Sequence, residues 1–273
     1  MEEDALRLYR STFGQVSVLN AETSLVTHAH DTAHVVVWLD GTPGEMNVGG
    51  SIERLGPAMA ATINPYEPHS HAFSTHDGGL FLAFYVDMQW IREGLGIGGD
   101  MPAFDSPFVT LNPTQYSAAT RILAYLRDAS GEESLVAYEI ERFLESLIRS
   151  ERREPTCRSR TQTTSDYRVR KAVKFMKSNV AERICFDELA RSVGLSRPHF
   201  FALFKEQMNM TPNIYWNSLR TEEAARQLER TDESLIAVAC NLGFSTQGNF
   251  SRFFREHVGV PPRTYRTAAR SLA

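Results

Sequence analysis

The sequence predicts a multidomain chain: an all-β unit and a helical hairpin, followed by an all-α domain. Three observations predict it. Short Val-, Phe- and Leu-rich segments alternate with turn residues over 15–111. Apolar residues recur at helical spacing over 113–152. One pattern is written twice between Ile184 and Arg266. The expected boundaries are 1–111 for the β unit, 112–152 for the hairpin, 153–166 for a connector and 167–270 for the helical domain, and 273 residues suffice for two cores.

In the β unit, His34 to Leu39 and Leu80 to Val86 read as strands. Asp40-Gly41 reads as a hairpin turn and Gly49-Gly50 as a second bend or bulge. Six of the eight histidines lie between His28 and His76. On a strand His28 and His30 share a face, because side chains alternate. His71 and His76 read as surface or loop residues.

Asn112-Pro113 opens the hairpin's first helix, with Tyr116, Ala119, Ile122, Leu123 and Leu126 on one stripe, and Ser130-Gly131 ends it. The second helix carries Leu135, Val136, Ile140, Phe143, Leu144, Leu147 and Ile148. A stripe this wide either packs on both the β unit and a second chain, or covers the β unit alone. From Ser150 to Asp166 the chain has almost no apolar residues and reads as a flexible tether containing Cys157.

Charge divides the chain. Residues 1–155 hold 10 Lys and Arg against 22 Asp and Glu, and the remainder holds 19 against 11. An acidic front half repels phosphate, so affinity for nucleic acid is expected in the back half. Three cysteines, Cys157, Cys185 and Cys240, lack metal-type spacing and suggest a reducing compartment. Met1-Glu-Glu-Asp4 is too acidic for a secretory signal, and no apolar run reaches the roughly 20 residues that span a bilayer, so the expectation is a cytoplasmic protein.

The repeated pattern is the most informative stretch. Ala190, Gly194 and Ser196 recur as Ala239, Gly243 and Ser245 at an offset of 49. Phe200, Phe204, Lys205, Pro212 and Tyr215 recur as Phe250, Phe254, Arg255, Pro262 and Tyr265 at an offset of 50, so one residue is inserted in the second copy. Each copy reads as helix, Gly turn, helix. The small residue lets the helices approach, the Gly adopts the left-handed conformation, and the Ser caps a helix whose inward face is a Phe pair. That is the helix-turn-helix arrangement, which presents its second helix to the major groove. Ahead of it, a helix over Arg168 to Asn179 points Val169, Val173, Phe175 and Met176 inward, and Cys185 stands at a cap position with Glu188 three residues on.

Ile236 to Ser245 and Asn249 to Arg266 resemble the signature of the AraC/XylS family of transcription regulators. The resemblance implies two helix-turn-helix units joined by a linker helix, here Pro212 to Arg230 with Thr211 as its cap. It implies double-stranded DNA as partner, RNA polymerase as a further one, and a homodimer formed through the hairpin. Base-reading positions fall on Thr246, Gln247, Asn249 and Arg252 in the second unit, and on Arg197, Pro198, Phe201 and Ala202 in the first, with His199 beside them. Arg pairs with guanine, and Asn or Gln with adenine, whereas apolar residues meet only the thymine methyl. Lys205 and Arg255 are candidates for phosphate contact or for pairing with acidic neighbours.

The front unit resembles the cupin-like β-barrel that such regulators carry as an effector-sensing domain. His28-Ala-His30-Asp-Thr-Ala-His34 is similar to the first cupin motif, with His34 where metal-binding cupins place Glu, and Pro65 to His69 is similar to the second. His28, His30, His34 and His69 are therefore the expected effector residues. They either hold a divalent metal ion or line a metal-free pocket, which the resemblance favours. The expected role is an effector-controlled, DNA-binding regulator rather than an enzyme. The alternative is a metal-dependent cupin enzyme with an autoregulatory DNA-binding domain.

Overall fold

A computed structural model describes residues 6–73, 77–96, 101–127, 133–151 and 166–270. His76, Cys157, the Ser130-Gly131 break and residues 153–165 of the expected tether lie outside them.

Ten strands come first: β1 (Leu6–Ser11), β2 (Gly14–Ala21), β3 (Leu25–His28), β4 (Ala33–Gly41), β5 (Glu45–Val48), β6 (Ser51–Arg54), β7 (Met59–Ile63), β8 (His69–Ala72), β9 (Gly79–Val86) and, after helix α1 (Met88–Leu95), β10 (Phe108–Thr110). They form a six-stranded sheet in the order β1-β2-β9-β4-β7-β10 and a four-stranded sheet in the order β3-β8-β5-β6. Every pairing is antiparallel.

Strands β4 and β9 read as unbroken apolar runs because both faces of the larger sheet are covered. Val35, Val37, Leu82 and Phe84 join a core with the helical hairpin, while Val36 and Phe81 join a second core with Met46 and Val48 of the smaller sheet. His34 and Tyr85 share the parity of Val36 and Phe81, so they face inward between the sheets.

Three turn features refine the sequence reading. Gly49 and Gly50, with φ of 58° and 97°, make the two-residue turn of the β5–β6 hairpin. Asp40-Gly41 is not a turn: β4 continues through it, pairing Asp40 with Leu80 and Gly41 with Gly79 after an irregularity at Trp38. The pairing extends one step further, where Thr42 donates its N–H to the Gly78 carbonyl (2.7 Å). Helix α1 was not foreseen, because it is short and directly continues an apolar strand; the Asp87 carboxylate caps it at Gln89 N, and Gly96 ends it at φ 65°.

The hairpin consists of α2 (Pro113–Arg127) and α3 (Glu133–Glu151). Its stripe packs on the outer face of the six-stranded sheet, with the Phe143 ring 5.2 Å from that of Phe84. Leu135 and Tyr138 of α3 stay exposed.

The last seven helices are α4 (Tyr167–Ser178), α5 (Phe186–Ser192), α6 (Arg197–Met208), α7 (Pro212–Arg230), α8 (Leu235–Asn241), α9 (Gln247–Val258) and α10 (Pro262–Arg270). Helix α7 serves two cores. Tyr215, Trp216 and Leu219 join α4, α5 and α6, whereas Ala224 and Leu228 join α8, α9 and α10. Each core also accepts residues of the β unit: Ala29 in the first, Leu6 and Leu8 in the second. Phe175 corrects an expectation. Val169, Ala172 and Met176 occupy the buried face of α4, and Phe175, a step of about 100° from Met176, is exposed.

Among the described residues no helix is long and apolar enough to cross a membrane.

Candidate nucleic-acid interface and histidine cluster

The two helix-turn-helix units close with matching hydrogen bonds. Gly194 N–H donates to the Arg191 carbonyl and Leu195 N–H to Ala190 (both 2.9 Å); Gly243 N–H donates to Cys240 and Phe244 N–H to Ala239 (both 2.9 Å). This is a Schellman-type ending, and it needs the positive φ found at Gly194 (75°) and Gly243 (71°). Phe200, Phe204, Phe250 and Phe254 are fully buried, which fixes the outward faces of α6 and α9.

The inserted residue can now be located. Helix α6 is capped by Ser196 and α9 by Thr246, so the two helices start 50 residues apart and the extra residue is Ser245 in the turn. This corrects the expected cap: the Thr246 hydroxyl, not Ser245, accepts from Asn249 N (3.1 Å). Ser196 occupies its cap position without a side-chain hydrogen bond.

On α9, Gln247, Asn249, Arg252 and Arg255 are exposed, as is the cap Thr246. Arg252 donates to Asn249 Oδ1 (3.1 Å), and Asn249 Nδ2 donates to Ser245 Oγ (2.9 Å), so one chain of hydrogen bonds positions the outward amide and guanidinium. On α6, Arg197, Pro198, His199, Ala202 and Lys205 are exposed. Arg197 is held by Asp187 (3.1 Å) and lies 5.3 Å from the centre of the half-buried Phe201 ring. Phe201 in turn packs edge-on against Phe186 (5.7 Å), which makes its first role structural.

Arg220 of α7 braces the second unit. Its guanidinium lies 3.9 Å from the centre of the Phe244 ring and donates to the Leu242 carbonyl (2.7 Å). Burial pulls its pKa down to about 10.

Behind α9 the structure gathers the four expected histidines. Ring centroids lie 4.3 Å apart for His28 and His69, 4.9 Å for His28 and His30, 5.1 Å for His30 and His69, 5.4 Å for His30 and His34 and 5.5 Å for His34 and His69. His28 Nδ1 meets the Val26 carbonyl (2.7 Å), His34 Nδ1 that of Phe84 (2.9 Å) and His69 Nδ1 that of Glu67 (2.9 Å). A carbonyl only accepts, so each Nδ1 carries the proton and each Nε2 keeps its lone pair. Burial, reinforced by neighbouring imidazoles, lowers His28 and His30 well below the ordinary range, and lowers His34 to about 3. Burial lowers His69 to about 4. The cluster is neutral at physiological pH, the state in which imidazole binds metal.

His71 departs from its expected surface position: it lies on β8, 5% exposed, packed against Phe73 and Phe81. Its Nε2, not Nδ1, meets a carbonyl, that of Pro43 (3.0 Å), so it takes the opposite tautomer.

The sequence reading missed His257. It lies in the last turn of α9, 5% exposed, lining a cavity of about 40 Å³ together with His28, His34, His69 and Tyr85. The signal was available: His257 follows Phe250 and Phe254 at i+7 and i+3, on the apolar face of the helix. A larger cavity of about 610 Å³ separates β1, β2 and β9 from α7, with Arg10, His30, Tyr85, Glu222, Glu229 and Tyr265 in its wall.

Two helix-turn-helix units sharing one helix, each with an outward polar face, define a DNA-reading domain. Residues 189–268 match the family model described as "Helix-turn-helix domain". The chain is similar to the HTH-type transcriptional regulator ArgR of Pseudomonas aeruginosa, 30% identical over 149 residues that make up 55% of this chain and 45% of that protein. It is also similar to the probable transcriptional regulator LumQ of Photobacterium leiognathi, 23% identical over 89% of this chain and 93% of the relative. The chain spans less than half the length of the first curated relatives it matches. Among solved structures, ToxT from Vibrio cholerae shares the fold across 97% of both chains, with a TM-score of 0.54 and 12% identity.

Proposed function

We propose that this chain is a sequence-specific transcription regulator whose occupancy of DNA is controlled by an effector bound in or beside the β unit. The observation that carries the reading is the α9 face, where Thr246, Gln247, Asn249 and Arg252 stand exposed on a buried Phe250–Phe254 base. Arg252 and Asn249 offer the guanidinium and amide edges suited to guanine and adenine. The α6 face offers Arg197, Pro198, His199, Ala202 and Lys205, and its scarcity of paired donors and acceptors suits affinity or thymine-methyl contact. The two units of a monomer reach successive major-groove segments about 34 Å apart.

The effector space is the region where the histidine cluster adjoins the interdomain cavity, since Leu19, Ala83, Tyr85 and Val258 line both cavities. A ligand there touches β2, β9 and the end of α9 together, and so biases how the DNA-reading domain docks. A homodimer through α3, whose Leu135 and Tyr138 are exposed, and contact with RNA polymerase complete the proposal. The reading is of a non-enzyme: the relatives bear regulator names, and among the described residues no carboxylate joins the imidazoles.

The test is selection of DNA from a random pool by the full chain, followed by binding measurements on the selected sequence. Enrichment of a motif with two half-sites about one helical turn apart is the expected result. Binding without sequence preference overturns the proposal.

A further inference from the structure

His257 repeats the chemistry of the cluster it faces. Its Nδ1 meets the Phe253 carbonyl (2.8 Å), so that nitrogen carries the proton, and its buried Nε2 has no hydrogen-bond partner. His69 Nε2 and His30 Nε2 are likewise buried without partners. Unpaired polar atoms inside a protein carry a desolvation cost unless a ligand satisfies them. The ligand nitrogens of His28, His30 and His69 lie within 4.8 Å of one another. Tetrahedral zinc, with bonds of about 2.1 Å, holds its nitrogens about 3.4 Å apart, so side-chain rotation must draw the three together, and His257, which lies outside that group, must turn toward them.

We propose that His257, carried on the DNA-reading helix α9, joins His28, His30 and His69 as the fourth ligand of a divalent transition-metal site that latches the second helix-turn-helix unit to the β unit. The proposal builds on the reading of the β unit as the sensing part of the chain. A set of neutral imidazoles with no carboxylate suits zinc, cobalt, nickel or copper and not calcium or magnesium. His257 shares a cavity of about 40 Å³ with His28 and His69, and His30 stands in the wall of the adjoining larger cavity. His34 lines the same cavity, but its ring lies against Tyr85 (4.3 Å, tilted by 32°) and it is not among the three histidines whose ligand nitrogens lie within 4.8 Å of one another. The latch has mechanical consequence because α9 already packs on β3, and Gly259 at its end sits against Leu19 and Leu25. An ion across that seam fixes the helix bearing Gln247, Asn249 and Arg252 relative to the β unit.

The experiment titrates metal-free full-length protein with Co²⁺, read by visible absorption and by Zn²⁺ competition. The wild type is expected to take up one ion per chain with the strong bands of four-coordinate cobalt. His257→Ala weakens binding on the order of tenfold or more and diminishes those bands; His257→Gln is the second variant should the first fail to fold. His71→Ala, which alters a buried histidine of the wrong tautomer, leaves the titration unchanged. Hydrogen exchange in α9 slows on adding metal in the wild type and not in the His257 variants. Absence of cobalt binding, or binding indifferent to both His257 substitutions, overturns the latch. Sequence-specific DNA binding by metal-free protein alongside either result leaves the regulator reading standing, whereas a metal site without sequence-specific DNA binding removes that reading and keeps the site.

Discussion

Glu222 of α7 lies within electrostatic reach of the Asp31 carboxylate, with its Oε1 buried and without a hydrogen-bond partner. The two residues lie on opposite sides of the seam between the DNA-reading domain and the β unit. Burial, and then Asp31, push the Glu222 pKa up to about 7, with Lys177 opposing. The folded chain therefore holds a proton there that the unfolded chain releases near 4.5. Stability from this group is complete below pH 4.5 and lost as pH rises through about 7. Glu222→Gln should melt higher than wild type at pH 8, by up to about 3 kcal/mol, and the difference should shrink toward pH 5. Parallel melting curves from pH 5 to 8 would refute the assignment.

Arg220→Lys keeps the charge but loses the stacked guanidinium over Phe244 and the bond to the Leu242 carbonyl. Lysine cannot reproduce a planar donor on an aromatic face. The expected loss is about 1–2 kcal/mol of stability by chemical denaturation. A variant as stable as wild type would show that α7 is held by its apolar contacts alone.

Base reading and phosphate contact separate by substitution. Arg252→Ala should cost about 1–3 kcal/mol on the selected sequence and relax preference at one base pair, and Lys205→Ala should weaken all sequences alike. Equal losses on specific and random DNA for Arg252→Ala would remove it from the reading set.

Cys185 sits at the N-cap of α5 with no side-chain hydrogen bond, and Glu188 is three residues on. Cys185→Ser should raise stability by up to about 1 kcal/mol, since a hydroxyl caps better than a thiol. A fall in melting temperature on that change would show that the thiol packs rather than caps.

Much of this molecule follows from local chemistry. The twin Gly turns, the Phe pairs and the Thr211-Pro212 start of α7 were legible because each is set by φ, by helical period or by a cap within a few residues. The clustering of His34 and His69 with His28 and His30 was legible only through the resemblance to the two cupin motifs. What misled the reading was also local: Asp40-Gly41 has turn composition, yet sheet pairing with Leu80 and Gly79 outweighs it, and Ser245 has the chemistry of a cap that Thr246 takes.

By itself, then, the sequence determined an acidic, histidine-bearing β unit, a helical hairpin and a duplicated helix-turn-helix. Only the tertiary structure decided that α7 joins two cores, that Leu6, Leu8 and Ala29 belong to the cores of the far domain, that His71 is buried in the wrong tautomer, and that His257 faces the cluster from across the seam. Those outcomes depend on contacts between residues distant along the chain, or on which carbonyl each imidazole meets. Neither period nor propensity encodes them, because both are sums over neighbours along the chain, whereas packing selects neighbours in space.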